Sequence, residues 1–147
     1  MEVMGNVGTL LAHKPRQVWS IEPEKTVFEA IQLMAEKNVG AVTVVKDGKL
    51  LGILTERDYT RKVILQGKQS RQTPVSEIMT SNLHTVEWST SISECMKFMT
   101  ERRVRHLPVM ENGLPVAMVS VGDVMKYIMA AQSSTIDQLQ SYITGGY

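Results

Sequence analysis

The sequence predicts an α/β (α+β) fold of two β-α-β-β-α repeats packed face to face with pseudo-two-fold symmetry. Three observations carry this. Residues 18–64 lie over 83–129 without a gap, at a constant offset that takes Glu22 to Glu87, Glu29 to Glu94, Met34 to Met99, Glu36 to Glu101, Val39 to Val104, Val44 to Val109, Gly48 to Gly113 and Asp58 to Asp123. Self-similarity at a fixed period marks a repeated structural unit. Each copy holds one stretch of helical periodicity and two short apolar runs. Those runs flank Asp47-Gly48 in the first copy and Asn112-Gly113 in the second, dipeptides that accept the positive φ of a tight hairpin turn.

The elements follow in order. Val18 to Ile21 and Leu83 to Val86 read as short extended pieces. Val27, Ala30, Ile31, Met34 and Ala35 fall at i, i+3, i+4, i+7 and i+8, one face of an amphipathic helix, and Ile92, Cys95, Met96 and Met99 repeat the pattern. The hairpin runs are Ala41 to Val45 with Leu50 to Leu54, then Leu107 to Met110 with Val116 to Val119. A second helix starts at Thr55 or Ser120 and runs toward Ile64 or Met129, with Gly67 ending the first of these. The polar stretch Gly67 to Pro74 suits a surface crossing, and Val75 to Met79 a helical turn. Ile136, Leu139 and Ile143 have helical spacing, with Ser134 or Thr135 as a cap and Gly145-Gly146 as the end. The expected organisation is an N-terminal segment 1–17, repeat one 18–66, a linker 67–82, repeat two 83–131 and a C-terminal helix or tail 132–147.

Composition narrows the function. Sixteen Lys and Arg against fifteen Asp and Glu leave a formal charge of +1, which argues against a general nucleic-acid binder. A single cysteine, Cys95, forbids an intramolecular disulfide. Cys95 aligns with Ala30 on the inward helix face, so it reads as packing. No apolar run reaches the ~18–20 residues of a membrane span. Neither a signal-peptide core nor a glycine at position 2 is seen, and the expectation is a soluble cytoplasmic protein. His13, His84 and His106 lack metal-ligand spacing, so no metal is expected.

The chemically informative motif ends each hairpin. It reads Gly52-Ile53-Leu54-Thr55-Glu56-Arg57-Asp58 in repeat one and Ala117-Met118-Val119-Ser120-Val121-Gly122-Asp123 in repeat two. A hydroxyl residue with an acid three positions on is also a capping box, stabilising a helix start by ~1 kcal/mol. The same groups suit a ribose phosphate. A carboxylate offers acceptor oxygens to two ribose hydroxyls, and the hydroxyl with the helix-start N–H groups suits a phosphate. Recurrence of the motif in both repeats favours the ligand reading. Arg102 and Arg103 follow a helix, where cations meet its C-terminal dipole. Trp19 either stacks on a base or plugs the core.

The repeat and its terminal Gly-h-h-Thr-x-x-Asp resemble the CBS domain (the cystathionine-β-synthase type), and the tandem resembles a CBS pair, or Bateman module. The resemblance covers Val18 to Met129, with Ala117 departing from the usual glycine. It implies a non-catalytic, energy-sensing regulatory module that binds AMP, ATP or NAD between the repeats, needs no cofactor, forms a homodimer and signals to an effector protein. It also implies crosswise pockets: Trp19, Gly40 and Ala41 with Ser120 and Asp123, and Thr55, Arg57 and Asp58 with His84, Arg105 and His106. Small Gly40 and Ala41 admit a base against the backbone, while Arg105 and His106 neutralise phosphate. The alternative is a ligand-free dimerisation and interaction scaffold in which the motif residues only cap helices. No acid–base pair or activated nucleophile suggests an enzyme.

Overall fold

The computed structural model describes residues 3–143. Its architecture is mixed α+β, with two small sheets. The order is α1 (Val7–Leu10), β1 (Ser20–Ile21), α2 (Val27–Lys37), β2 (Ala41–Lys46), β3 (Lys49–Thr55), α3 (Glu56–Tyr59), a π-helical turn (Thr60–Ile64), α4 (Val75–Ile78), α5 (Ile92–Arg102), β4 (His106–Glu111), β5 (Leu114–Ser120) and α6 (Val121–Ile143). One sheet has the order β1-β2-β3 and the other pairs β4 with β5. The chain divides into two compact units. Unit 2 takes 16–87 and the turn end of the second hairpin, 108–118; unit 1 takes residues up to Pro15, 88–107 and 119 onward. The units therefore do not coincide with the two sequence repeats.

In unit 2, β1 pairs parallel with β2, and β2 pairs antiparallel with β3 in a register that sets Ala41 opposite Thr55. Asp47 and Gly48 both take positive φ, as do Asn112 and Gly113 in the second hairpin, the geometry of a two-residue turn whose twist matches the strands. Helix α2 begins with a capping box between Thr26 and Glu29 and ends at Asn38 in the left-handed region. Its buried face, Val27, Ala30 and Met34, packs with Val42, Val44, Leu54, Val63, Val75 and Ile78. The linker is more than a surface crossing. Val27 N donates to Thr73 O at 2.8 Å and Val75 N to Lys25 O at 2.8 Å, and Val75 and Ile78 complete the core.

Unit 1 repeats this docking with a different segment. Ile92 N donates to Gly5 O, Val7 N to Thr90 O and Gly8 N to Trp88 O. These match the bonds of Val27 to Thr73, Val75 to Lys25 and Ser76 to Pro23 in unit 2. Residues 5–11 thus dock on repeat two as 73–79 dock on repeat one. Val7 and Leu11 are buried, and α1 packs against α6. The shared pattern, Val7, Leu10 and Leu11 beside Val75, Ile78 and Met79, is visible in the sequence. It lies outside the stretch where the two repeats align at their constant offset.

Three expectations need correction. The helix after Ser120 does not stop near Met129: α6 runs unbroken from Val121 to Ile143. Ser134 and Thr135 therefore lie inside it and not at a helix start. After Gly122 this stretch holds neither glycine nor proline, so nothing interrupts the hydrogen-bond ladder; Gly145-Gly146 lies outside the described residues. The helix after Thr55 turns π-helical at Thr60, with Leu65 N donating to Thr60 O. The extended piece of repeat two shrinks to a bridge between Val86 and Val109.

Candidate functional site

Each motif is built where a β-strand passes directly into a helix. In unit 2, Asp58 Oδ2 accepts from Thr55 N at 3.0 Å and from Thr55 Oγ1 at 3.1 Å, while Asp58 N donates back to Thr55 Oγ1 at 3.0 Å. In unit 1, Asp123 Oδ2 accepts from Ser120 N and Ser120 Oγ, both at 2.9 Å, and Asp123 N donates to Ser120 Oγ at 3.1 Å. Both motifs are therefore capping boxes, each satisfying helix-start N–H groups that have no partner within the helix. A cap uses one carboxylate oxygen and leaves the other for something else.

What meets the second oxygen differs. Asp58 Oδ1 lies 3.1 Å from Lys62 Nζ and accepts from Thr80 Oγ1 at 3.4 Å. Lys62 also donates to Ile78 O at 3.1 Å. Thr80 arrives because the linker continues past α4 and bridges to Ile53. That approach explains Gly52, where an added Cβ would stand 2.8 Å from Met79 Sδ and 2.9 Å from Thr80 O. At Asp123 the second oxygen, Oδ1, meets only Lys14 Nζ among the described residues, at 3.3 Å, and the same ammonium lies 3.0 Å from Oδ2. Residues 11–14 turn here, with Lys14 N donating to Leu11 O, and the turn delivers Lys14.

Arg105 and His106 sit with Asp123. Arg105 O accepts from Val121 N at 3.0 Å, just as Gly40 O accepts from Glu56 N at 3.1 Å in unit 2. Burial lowers the His106 imidazole below its usual pKa; the Asp123 carboxylate opposes this, and Lys14 and Arg105 reinforce it. His106 Nδ1 is buried and has no hydrogen-bond partner among the described residues, a polar requirement that typically costs ~1–3 kcal/mol when unmet. Burial alone would raise the Asp123 carboxyl. The Ser120 and Lys14 hydrogen bonds and the Lys14 charge overcome that and hold it below the ordinary carboxylate value. The corner of unit 1 around Asp123 is thus a carboxylate surrounded by cationic and N–H groups.

The remaining residues fall as follows. Gly40 is half-buried and Ala41 buried, both beside Thr55. Trp19 packs on the unit 2 core, with Lys37 Nζ 4.4 Å from its ring centre. Arg57 is exposed and His84 half-buried in unit 2. The structure therefore brings Gly40 and Ala41 to Thr55 and Asp58, and Arg105 and His106 to Ser120 and Asp123, within each repeat. The crosswise grouping joins residues of different units. Lys14, Lys62 and Thr80, the neighbours of the two motif carboxylates, are the residues that the sequence did not point to. Only Lys62, one helical turn after Asp58, carried a local signal.

Cys95 is fully buried. Burial, then the neighbouring Glu94 charge, raises its thiol to about 11. Among the described residues no cluster of three or more His, Cys, Asp or Glu is placed to hold a metal. No helix there is long and apolar enough to cross a membrane.

Comparison with known proteins bears on the family and the fold. The CBS-domain family model matches residues 14–64 and 75–130. The CBS domain-containing protein CBSX3, mitochondrial, of Arabidopsis thaliana is 43% identical over 129 residues, covering 84% of this chain and 63% of its own length. This chain thus spans less than two thirds of that relative. The structure of a protein with CBS domains from Burkholderia ambifaria MC40-6 superposes with a TM-score of 0.82 at 45% identity, over 87% of this chain and 96% of that one. The CBS domain pair of protein MJ0100, in complex with 5′-methylthioadenosine and S-adenosyl-L-methionine, shares the fold at a TM-score of 0.78 and 21% identity, over 88% and 99% of the two chains. With two matched copies spanning most of its length, this chain belongs to the CBS-domain family and is a tandem CBS pair.

Proposed function

We propose that this chain is a non-catalytic regulatory module that binds an adenine nucleotide, of the AMP, ATP or NAD type, and passes the occupancy to an effector protein. The observation that carries this reading is the doubled strand-to-helix motif. A fixed carboxylate, a hydroxyl and a helix start stand together at Thr55 and Asp58 and again at Ser120 and Asp123. Carboxylate oxygens suit ribose hydroxyls, and in unit 1 Arg105 and Lys14 suit phosphate. The MJ0100 pair holds adenosine-containing ligands on the same fold, which fits the class proposed.

A homodimer is part of the proposal. Met125, Met129, Ile136, Leu139 and Ile143 stand exposed along α6 at alternating spacings of three and four residues, or their sum, the pattern of a helix–helix seam. Light scattering after size exclusion tests it, and a monomer at all concentrations overturns it. Nucleotide binding is tested by calorimetry and thermal shift with AMP, ATP and NAD. A ligand at a hundred times its Kd stabilises the fold by about 2.7 kcal/mol. No heat and no shift with any of the three overturns the reading in favour of a ligand-free scaffold.

A further inference from the structure

Resting on that reading, we propose that each chain takes one nucleotide. Its ribose is held by Asp123 with Lys14 beside it, while the matching Asp58 is a structural carboxylate with no acceptor left to offer. A carboxylate has about four lone-pair positions on its two oxygens. At Asp58 all are used: Thr55 N and Oγ1 on Oδ2, Lys62 Nζ and Thr80 Oγ1 on Oδ1. Lys62 is itself fastened to Ile78 O. Thr80 is held in place by a two-bond bridge, Ile53 N to Thr80 O and Thr80 N to Ile53 O, both at 2.9 Å. A ribose arriving at Asp58 must break a network that is also part of the unit 2 fold.

Asp123 is placed differently. Among the described residues its Oδ1 accepts from Lys14 alone, at 3.3 Å, so a lone-pair position remains for a ribose hydroxyl. Among the described residues the Lys14 ammonium has no hydrogen-bond partner but Asp123. Its ammonium can swing to a phosphate at the loss of one ion pair, and half of the side chain is already in solvent. Arg105 and the unpartnered His106 Nδ1 lie in the same unit and act on the same corner. Lys14 belongs to the segment that docks on repeat two through Val7 and Leu11.

Calorimetry on the full chain with AMP and with adenosine tests this. The expected result is one AMP per chain. Asp123→Asn should weaken AMP at least tenfold. Lys14→Met should weaken AMP at least fivefold but adenosine less than twofold, since only AMP carries the phosphate. Lys62→Met should leave AMP affinity within twofold. Two AMP per chain, an equal loss of AMP and adenosine in Lys14→Met, or a loss in Lys62→Met matching that in Lys14→Met overturns the inference while leaving nucleotide binding intact. A wild-type chain that binds no AMP, ATP or NAD fails the functional reading itself, and this inference with it. Both lysines are about half exposed, so their variants are expected to fold, and circular dichroism checks this.

Discussion

Asp58 and Asp123 occupy one position in two copies of one motif, with the same three capping bonds, yet their second oxygens meet different surroundings. The three capping bonds do not make the difference. It comes from Lys62, whose counterpart in repeat two is Tyr127, and from the segment that docks on each repeat. Beside repeat one the chain runs on from Met79 to Thr80 and pairs with β3, which brings a hydroxyl to Asp58 and allows no side chain at Gly52. Beside repeat two the corresponding segment turns after Leu11 and sends Lys14 to Asp123 instead. Two copies with equal capping geometry acquire unequal chemistry from the groups around them.

Four measurements break or sharpen that contrast. The largest effect is expected at Gly52. Gly52→Ala drives a Cβ into the Thr80 carbonyl, a backbone atom that must shift, and overpacking of this kind costs about 1–3 kcal/mol. Ala117→Gly, the reverse change at the matching buried position, is expected to cost no more than about 0.5–1 kcal/mol. Chemical denaturation compares the two, and equal losses would remove the contrast. Next, Thr55→Val and Ser120→Ala each remove a cap and should each cost about 1 kcal/mol. Their equality in urea midpoints would show that the motifs are alike as caps, while AMP affinity should separate them.

Acidification should act on unit 1. His106 and Asp123 both have pKa values lowered by folding, so the unfolded chain binds their protons more readily and stability falls with falling pH. The stability from His106 is complete above about pH 6.5 and begins to be lost below it; that from Asp123 begins to be lost below about pH 4. Tm measured from pH 8 to pH 3 should fall in that order, and His106→Gln should remove the earlier loss. A rising or flat Tm contradicts the assignment. The smallest effect is expected at Arg103. It ends α5 in the left-handed region, which glycine tolerates better, so Arg103→Gly should be neutral or raise stability by a few tenths of a kcal/mol.

Much of the fold was legible because it rests on local rules. Helix α2 and both hairpin turns follow from apolar spacing, from Thr26 with Glu29 and from Asp47-Gly48 and Asn112-Gly113. The pairings of Thr55 with Asp58 and Ser120 with Asp123 were equally readable, since three residues fix both partners. Lys14 was not, because the chain between it and Asp123 is most of the protein and no spacing rule reaches that far. Thr80 was hidden for a related reason: the stretch 67–74 is polar, yet its backbone bonds and the buried Val75 and Ile78 after it tie it to repeat one. The continuous α6 was misjudged because Ser134 and Thr135 resemble a cap, a signal that counts only where the helix has already ended.

The docking of residues 5–11 on repeat two also bears on the order of folding. Unit 2 is assembled mainly from the continuous stretch 16–87, while unit 1 must gather residues before Arg16 with others beyond Glu87. Short-range closure is faster than long-range closure, so the unit around Asp58 forms first and the unit around Asp123 last. In a chain synthesised from its N-terminal end, Val7 and Leu11 emerge well before the repeat-two residues they pack on and wait for burial. That interval, with two apolar side chains uncovered, is when the nascent chain is most exposed to aggregation.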